Sequence, residues 1–247
     1  MPSARLDGFV PPPPTGRRAD VLAELAGHVV TVRPGGRAVV AIDGVDGAGK
    51  TVLGRELCAL VAPHREVHRA SADGFHRPRA QRYARGRTGD AYYRDGFDHA
   101  AIRHRLVLPF REGLAWVRAV YDVEWEEPVD VAPEPPPGPD GVLLVDGVFL
   151  HRPEVADVWD ASVWVDVPFD VSVPRGNARF GPVDAASADS ASEVNARYVG
   201  GQRLYRAEVE PATHATWMLD NADLAAPVLT SWMVTGGAPS GRPRASG

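Results

Sequence analysis

The chain has 247 residues, 44% of them hydrophobic and 24% charged, which is typical of a soluble globular protein with a sizeable core. Its formal net charge of -5 argues against nucleic acid as the main partner. The single cysteine, Cys58, excludes an internal disulfide and a cysteine-based zinc site, and it fits a reducing compartment. No signal-peptide pattern follows Arg17 and Arg18, and no apolar run approaches membrane-spanning length. We therefore expect a cytoplasmic protein with no membrane partner.

The order of the predicted elements indicates the fold class. Residues 1–16 are rich in proline and residues 236–247 in Gly, Ser and Pro, so we expect two flexible ends around one domain over 17–235. Helical spacing predicts helices over 18–29, 51–62, 97–110, 170–179 and 191–209. Apolar runs predict strands over 37–44, 65–71, 116–123, 141–147 and 161–168, with one or two more between 216 and 234. Strands that alternate with helices predict an α/β fold with a mostly parallel sheet flanked by helices.

The stretch GVDGAGKT, residues 44–51, matches the phosphate-loop pattern G-x-x-x-x-G-K-[ST]. A predicted buried strand precedes it and a predicted amphipathic helix follows it, as the motif requires. Its glycines allow the backbone to wrap closely around phosphate oxygens, which the backbone N–H groups and the helix dipole would bind. The predicted nucleotide-binding residues are Gly44, Val45, Asp46, Gly47, Ala48, Gly49, Lys50, Thr51 and Val52.

Lys50 is the only lysine among 27 basic side chains, and all the others are arginines. GC-rich coding could thin out lysine, so one reading is a glycine turn with a lysine present by chance. The other reading is functional, because an ammonium is a compact point charge whereas guanidinium is a wide planar fork that would not fit a tight phosphate loop. We therefore predict that Lys50 reaches the β and γ phosphates of a bound nucleotide and takes part in catalysis.

Two aspartates follow predicted strands and should lie at the carboxyl edge of the sheet, where α/β proteins bind ligands. Asp146 ends the strand VLLVD, and with the hydroxyl of Thr51 it is the predicted Mg²⁺ site. Asp73 follows the second strand and could orient an acceptor hydroxyl and take its proton. The alternative for both is a turn or helix-capping role, which is common for aspartate.

Six segments in order, GVDGAGKT, DGFH, YYRDGFD, VYD, LLVDG and RYVGGQRLY, resemble the uridine kinase group of P-loop kinases, which is similar to phosphoribulokinase and pantothenate kinase. The resemblance runs from about residue 37 to 230. It implies a P-loop NTPase-type sheet, a mobile lid at about 175–192, and transfer of the γ-phosphate of ATP to a small hydroxyl substrate with Mg²⁺. It also implies particular roles: Asp73 as the catalytic aspartate, Asp146 in the Mg²⁺ motif, Phe75 and Tyr121 at the substrate, and Arg175 and Arg179 as lid arginines.

The acceptor expected from this resemblance is a nucleoside of the uridine or cytidine type. Two departures keep alternatives open: no histidine follows VYD, where uridine kinases place one, and the lid has only two arginines. The first alternative is a different alcohol, such as a sugar phosphate or a pantothenate-like compound, and the second is an ATP-binding regulatory module without transfer. The segment 76–94 interleaves arginine and aromatics as an RNA-binding segment does, but the acidic net charge favours a substrate-side loop. ATP and a small hydroxyl-bearing substrate are thus the expected partners, and a homo-oligomer is left open.

Overall fold

The computed structural model describes residues 9–130 and 132–231. The predicted flexible end 236–247 and residues 1–8 of the other end lie outside these ranges, while residues 9–15 have no regular structure. Over the described ranges, no helix combines the length and the apolar character needed to cross a membrane.

The central sheet has six strands in the order β2-β5-β1-β6-β7-β8. The first five in that order are parallel to their neighbours, and the last strand is antiparallel to β7. This confirms the predicted α/β fold with a mostly parallel sheet. The strands are β1 (Ala38–Gly44), β2 (Val67–Ser71), β3 (Tyr121–Asp122), β4 (Glu127–Pro128), β5 (Val142–Gly147), β6 (Ala161–Asp166), β7 (Trp217–Asp220) and β8 (Val228–Ser231).

Helices flank this sheet, and the predicted helices are found close to their expected places. The segment predicted as 97–110 runs on to residue 112 and contains a wider π-helical stretch, Ile102–Val107. The α-helices are α1 (Gly16–Val30), α2 (Lys50–Val61), α3 (Arg79–Arg82), α4 (Gly89–Asp95), α5 (His99–Ala101), α6 (Leu108–Glu112), α7 (Phe169–Asn177), α8 (Ala185–Ala188), α9 (Ala196–Val209) and α10 (Pro211–His214). Short 3-10 turns cover Ala72–Phe75 and Ala156–Val158.

The predicted strand over 116–123 is largely wrong. Only Tyr121–Asp122 is extended, and it pairs with Glu127–Pro128 in a separate two-stranded hairpin. The backbone N–H groups of Val117 and Val120 donate instead to the carbonyls of Arg105 and Gly74, so the segment never joins the main sheet. Trp116, Val117 and Tyr121 are buried all the same, which explains why the pattern resembled a strand.

The strand register brings the predicted acidic residues to one edge of the sheet. Ser71 at the end of β2 pairs with Asp146 in β5, and Asp146 pairs with Ile42 in β1. The phosphate loop continues directly from β1, and Asp73 lies two residues beyond Ser71. The two aspartates and the loop therefore lie at the carboxyl edge, as expected for parallel strands.

Helices α4 and α9 are in close contact. A Cβ on Gly89, at the start of α4, would lie 2.6 Å from the backbone nitrogen of Gly201 in α9. A Cβ on Gly201 would in turn lie 2.8 Å from both the Gly89 carbonyl oxygen and a ring carbon of Tyr92. The glycine pair in RYVGGQRLY thus allows α4 and α9 to approach backbone to backbone.

Candidate active site

Asp43, the fully buried residue that precedes the phosphate loop, stabilises its first residues through hydrogen bonds. Its carboxylate accepts hydrogen bonds from the Gly44 N–H at 2.8 Å, from both the backbone N–H and Nδ1 of His151, and from the Tyr205 hydroxyl. Within the loop Gly47 and Gly49 have φ angles of 76° and 92°, which favour glycine. The buried network fixes the base of a loop whose turns depend on glycine.

Helix α7 packs directly on this loop. A Cβ added to Gly47 would lie 2.0 Å from the carbonyl oxygen of Ser172 and 2.9 Å from the backbone nitrogen of Gly176. These contacts involve backbone atoms, so no side-chain rotation would relieve them. Gly47 therefore permits a close approach between the phosphate loop and the helix that leads into the predicted lid.

Lys50 is the first residue of α2 and is buried, with 8% of its surface exposed. Its Nζ donates a 2.7 Å hydrogen bond to the carbonyl of Val45, so the ammonium folds back over the loop. Burial lowers the pKa of Lys50, and the carboxylates of Asp46, Asp43 and Asp73 act in the opposite direction. A buried ammonium surrounded by carboxylates is well placed to exchange its partner for a phosphate oxygen.

Asp146 and Thr51 lie side by side at the predicted magnesium site. The Thr51 hydroxyl donates a 2.9 Å hydrogen bond to the Asp146 carboxylate, which is 1% exposed and also pairs with the Arg69 guanidinium. Ser71 Oγ lies 3.4 Å from the same carboxylate. A hydroxyl and a carboxylate within hydrogen-bond distance of each other, beside a phosphate loop, form a donor set that suits Mg²⁺.

Asp73 lies in the short 3-10 turn that follows β2. Its backbone N–H is bound by Ser71 Oγ at 3.3 Å, and its carbonyl lies 2.8 Å from His76 Nδ1. Burial lowers the pKa of His76, against the opposing effect of the Asp73 carboxylate, so the imidazole tends to stay neutral. No hydrogen bond ties the Asp73 carboxylate to a neighbour in the described part of the chain, which leaves it available to a ligand.

A cavity of about 310 Å³ lies beside the phosphate loop and Asp73, whereas Lys50, Thr51 and Asp146 do not line it. Asp46 and Gly47 of the phosphate loop line one part of it, and Asp73 and His76 line another. Its remaining walls come from α3, α4, the β3–β4 hairpin, α7 and α9: Arg79, Arg82, Tyr83, Tyr92, Gly96, Phe97, Val123, Glu126, Ser172, Val173, Gly176, Asn177, Arg179, Phe180, Asn195, Arg197, Tyr198, Val199 and Gln202. The volume suits a small molecule beside the loop.

Asp46 contributes a carboxylate to the loop side of this cavity. It accepts a 3.1 Å hydrogen bond from the Tyr92 hydroxyl and another from the Gln202 amide. Burial raises the pKa of Asp46, although the nearby Lys50 ammonium opposes this shift. A carboxyl that protonates more readily than usual repels bound phosphates less than an ordinary aspartate would.

The two predicted lid arginines point to different places. Arg175 donates to the backbone carbonyls of Asn221 and Ala222, at 3.1 and 2.9 Å, and it does not line the cavity. Arg179 lies at the cavity and is close enough to Lys50 and Asp46 to influence their pKa values. Of the two, Arg179 is the one that lines the cavity beside Asp46 and Gly47.

Known proteins resemble this chain in fold. No family model matches the chain, and neither does any curated protein. A Bacillus stearothermophilus structure provisionally described as a uridine kinase matches with a TM-score of 0.61 and 23% identity, over 79% of this chain and 95% of that one. A Silicibacter structure provisionally described as a fructose transport system kinase matches with a TM-score of 0.60 and 21% identity, over 75% and 94%. The YGR205w protein matches with a TM-score of 0.55 and 11% identity, over 89% and 100%.

The chain has the fold of the uridine kinase-like P-loop kinases. This agrees with the resemblance that the sequence motifs suggested. At these identities the likeness concerns the fold, so the roles of individual residues in this P-loop kinase fold rest on the geometry described above.

Two predicted substrate residues do not line the cavity of this P-loop kinase fold. Phe75 is fully buried in the core, and Tyr121 is 7% exposed. Tyr121 reaches the site indirectly, because its hydroxyl donates a 3.1 Å hydrogen bond to Glu126, which does line the cavity. The roles of Phe75 and Tyr121 at the substrate stay predictions.

Sequence reasoning missed several cavity residues, notably Glu126, Arg82, Arg197 and Gln202. Glu126 could have been suspected from the two consecutive glutamates in VEWEEP, although nothing there distinguishes one from the other. Arg197 and Gln202 belong to RYVGGQRLY, whose pattern supports the family resemblance but marks no particular residue as a ligand-binding one. Their approach to the loop depends on the packing of α9 against α4, a long-range contact that sequence spacing does not encode.

Proposed function

We propose that this chain is an ATP-dependent kinase that transfers the γ-phosphate to a hydroxyl group of a small molecule. The observation that carries the proposal is that a single cavity is lined by Asp46 and Gly47 of the phosphate loop, by Asp73 and by Arg179. A donor site, a candidate base and a cation for the transferred group thus share one space. General NTPases need the first of these, whereas transfer to a hydroxyl benefits from all three.

In the proposed reaction the acceptor oxygen attacks the γ-phosphorus while the bond from that phosphorus to the bridging oxygen breaks. ADP leaves with the bridging oxygen, and the acceptor proton passes to the Asp73 carboxylate and then to solvent. The backbone of the phosphate loop and the Lys50 ammonium hold the β and γ phosphates. Arg179 stabilises the negative charge that spreads over the transferred group.

Thr51 and Asp146 would hold Mg²⁺, since their hydroxyl and carboxylate already lie within hydrogen-bond distance. When bound, the ion would offset negative charge on the phosphates and help to orient them. Arg69 and Ser71 also donate hydrogen bonds to the Asp146 carboxylate and help to hold it beside Thr51.

A nucleoside of the uridine or cytidine type remains one candidate acceptor, because the aromatic side chains of Tyr83, Phe97 and Tyr198 line the cavity. A sugar phosphate or pantothenate-like alcohol is the other, and the four arginines that line the cavity, Arg79, Arg82, Arg179 and Arg197, favour it. An ATP-binding module without transfer is the remaining alternative. Asp73 would have no task in such a module.

The test is to incubate the full chain with ATP, Mg²⁺ and one acceptor at a time, and to measure both ADP and phosphorylated acceptor by mass spectrometry. A kinase forms the two products in equal amounts, and forms little ADP without acceptor. Lys50→Ala is the control for contaminating kinases, since it should remove the product. ATP binding without any phosphorylated acceptor, across nucleosides, sugars, sugar phosphates and hydroxy acids, would leave the regulatory module as the better account.

A further inference from the structure

The lining of the cavity is rich in arginine side chains. Besides Arg179, three arginines line the cavity: Arg79 and Arg82 from α3 and Arg197 from α9. The cavity carboxylates are those of Asp46, Asp73 and Glu126, and the first two belong to the loop and to the proposed base. Three arginines therefore share one further carboxylate, Glu126, which leaves an excess of positive charge.

Arg197 is held among aromatic rings rather than by an acid. Its guanidinium carbon lies 4.5 Å from the ring centre of Tyr83, 5.6 Å from that of Tyr92 and 5.7 Å from that of Tyr198. Burial alone would raise the pKa of Tyr83, but a hydrogen bond from Arg197, together with the charges of Arg197, Arg82 and Arg87, lowers that pKa. Arg197 forms no salt bridge within residues 9–130 and 132–231, and its buried Nε has no hydrogen-bond partner there.

A guanidinium that lines a cavity and has no carboxylate partner can bind an anionic group of a ligand there. The aromatic cage fixes the guanidinium in place, which lowers the entropy lost when an anion binds to it. A planar guanidinium fits a carboxylate or a phosphate through two parallel hydrogen bonds.

The contacts of Glu126 show that two arginines of the cavity already bind a carboxylate. Glu126 pairs with Arg82, which is 5% exposed, and with Arg79 Nε at 3.2 Å, and it accepts the Tyr121 hydroxyl. It also has a φ angle of 57°, a left-handed conformation that is unusual for glutamate and recurs at functional sites. The hairpin thus delivers a carboxylate to two arginines but leaves the third, Arg197, without one.

We infer that the acceptor is an acidic alcohol, with a carboxylate or phosphate that binds Arg197 and Arg79 while its hydroxyl meets Asp73. The inference rests on the proposed kinase function and specifies its substrate class. A neutral nucleoside or sugar would leave the excess guanidinium charge of this wall without a partner.

The experiment compares matched pairs of compounds that differ in an acidic group: ribose with ribose 5-phosphate and glycerol with glycerate, with uridine and cytidine as neutral references. Equilibrium binding is measured by calorimetry in the presence of a non-hydrolysable ATP analogue, and turnover is measured with ATP. We expect the anionic member of at least one pair to bind at least about 10-fold more tightly than its neutral partner, since a hydrogen-bonded charge contributes that much or more. The phosphate and carboxylate arms identify which acid the wall accepts.

Arg197→Gln should weaken binding of the preferred anion by about 10- to 100-fold and raise its KM, while changing kcat little. ATP affinity and neutral-acceptor binding should stay unchanged. The matched control is Arg203→Gln, which removes an exposed arginine of the same helix that lies 5.6 Å from the Phe169 ring, away from the cavity. Arg79→Gln, at a largely exposed side chain, is a second variant that should weaken binding of the anion and leave the fold intact.

Anionic members that bind no better than their neutral partners would overturn the inference, and so would an Arg197→Gln effect of equal size on both members of a pair. Turnover of uridine or ribose alone would overturn it and leave the kinase function standing. Tight, Arg197-dependent binding of an anion without any transfer would support the acidic site and count against the kinase.

Discussion

The contact between helix α7 and the phosphate loop leads to a sharp expectation for Gly47→Ala. A Cβ at this position would meet the Ser172 carbonyl oxygen at 2.0 Å, and the φ angle of 76° is itself unfavourable for alanine. The left-handed conformation costs about 1–2 kcal/mol. Displacement of packed backbone adds about 1–3 kcal/mol, as in overpacked cores. We therefore expect Gly47→Ala to lower the free energy of unfolding by about 2–5 kcal/mol.

The matched control is Gly86→Ala. Gly86 has a similar φ angle of 89°, but the nearest atom to its Cβ would be a methyl carbon of Thr88 at 4.0 Å. This variant carries the conformational cost without the collision, so the difference between the two variants isolates the α7 contact. That difference should be about 1–3 kcal/mol in urea unfolding.

The functional readout is the affinity for ATP·Mg²⁺, measured by calorimetric titration of both variants. Gly47→Ala should weaken binding because α7 or the loop has to move, whereas Gly86→Ala should leave it unchanged. Equal stabilities of the two variants, together with unchanged affinity, would refute the close approach of α7 to the loop.

Three further expectations follow from buried groups. Lys50→Arg should nearly abolish turnover with the fold intact, because a guanidinium cannot replace the Nζ that lies 2.7 Å from the Val45 carbonyl; turnover like that of the wild type would contradict this. Burial lowers the pKa of His99 to about 4, below its unfolded value of about 6.5, so the folded state binds fewer protons and loses stability as pH falls through this range. The stability advantage of the wild type over His99→Gln should shrink by about 2 kcal/mol between pH 7 and 4.5, and a constant difference would count against it. Burial also raises the pKa of Cys58 to about 11, so iodoacetamide at pH 8 should label it about 10²-fold more slowly than a free thiol, which a comparison with the urea-unfolded chain checks.

The parts of the fold that could be predicted from sequence are those in which local pattern and burial coincide. Strands β1 and β5 are buried along their whole length, and both were recognised as continuous apolar runs. The phosphate loop was recognised because its glycines and lysine stand at a fixed spacing between a strand and a helix. Its neighbours Asp73 and Asp146 followed from the rule that parallel strands end at one edge.

The part of the cavity wall that contains Arg82, Glu126 and Arg197 could not be predicted from sequence, because long-range packing forms it. Arg197 reaches Tyr83 and Tyr92 only after α9 has packed on α4 through Gly89 and Gly201. Only the first strand of the hairpin that presents Glu126, Tyr121–Asp122, lies within the predicted strand 116–123, and the apolar pattern there gave no sign that the backbone of Val117 and Val120 pairs with loops. Arg175 and Arg179 looked equivalent in sequence, yet only the second lines the cavity.

The central claim is that Asp73 serves acceptor-dependent transfer, and the most direct test is Asp73→Asn, with ATP affinity and acceptor-dependent ADP release measured on one preparation. Asparagine keeps the size of the side chain but cannot take a proton. ATP·Mg²⁺ affinity should hardly change, while turnover should drop by about 10²- to 10⁴-fold, the usual contribution of a positioned acid or base. Asp223→Asn is the control, because the Asp223 carboxylate accepts the Ala225 N–H in an exposed turn and does not line the cavity. Normal turnover per folded Asp73→Asn molecule, or a loss of stability and ATP binding together as for a turn residue, would contradict the account.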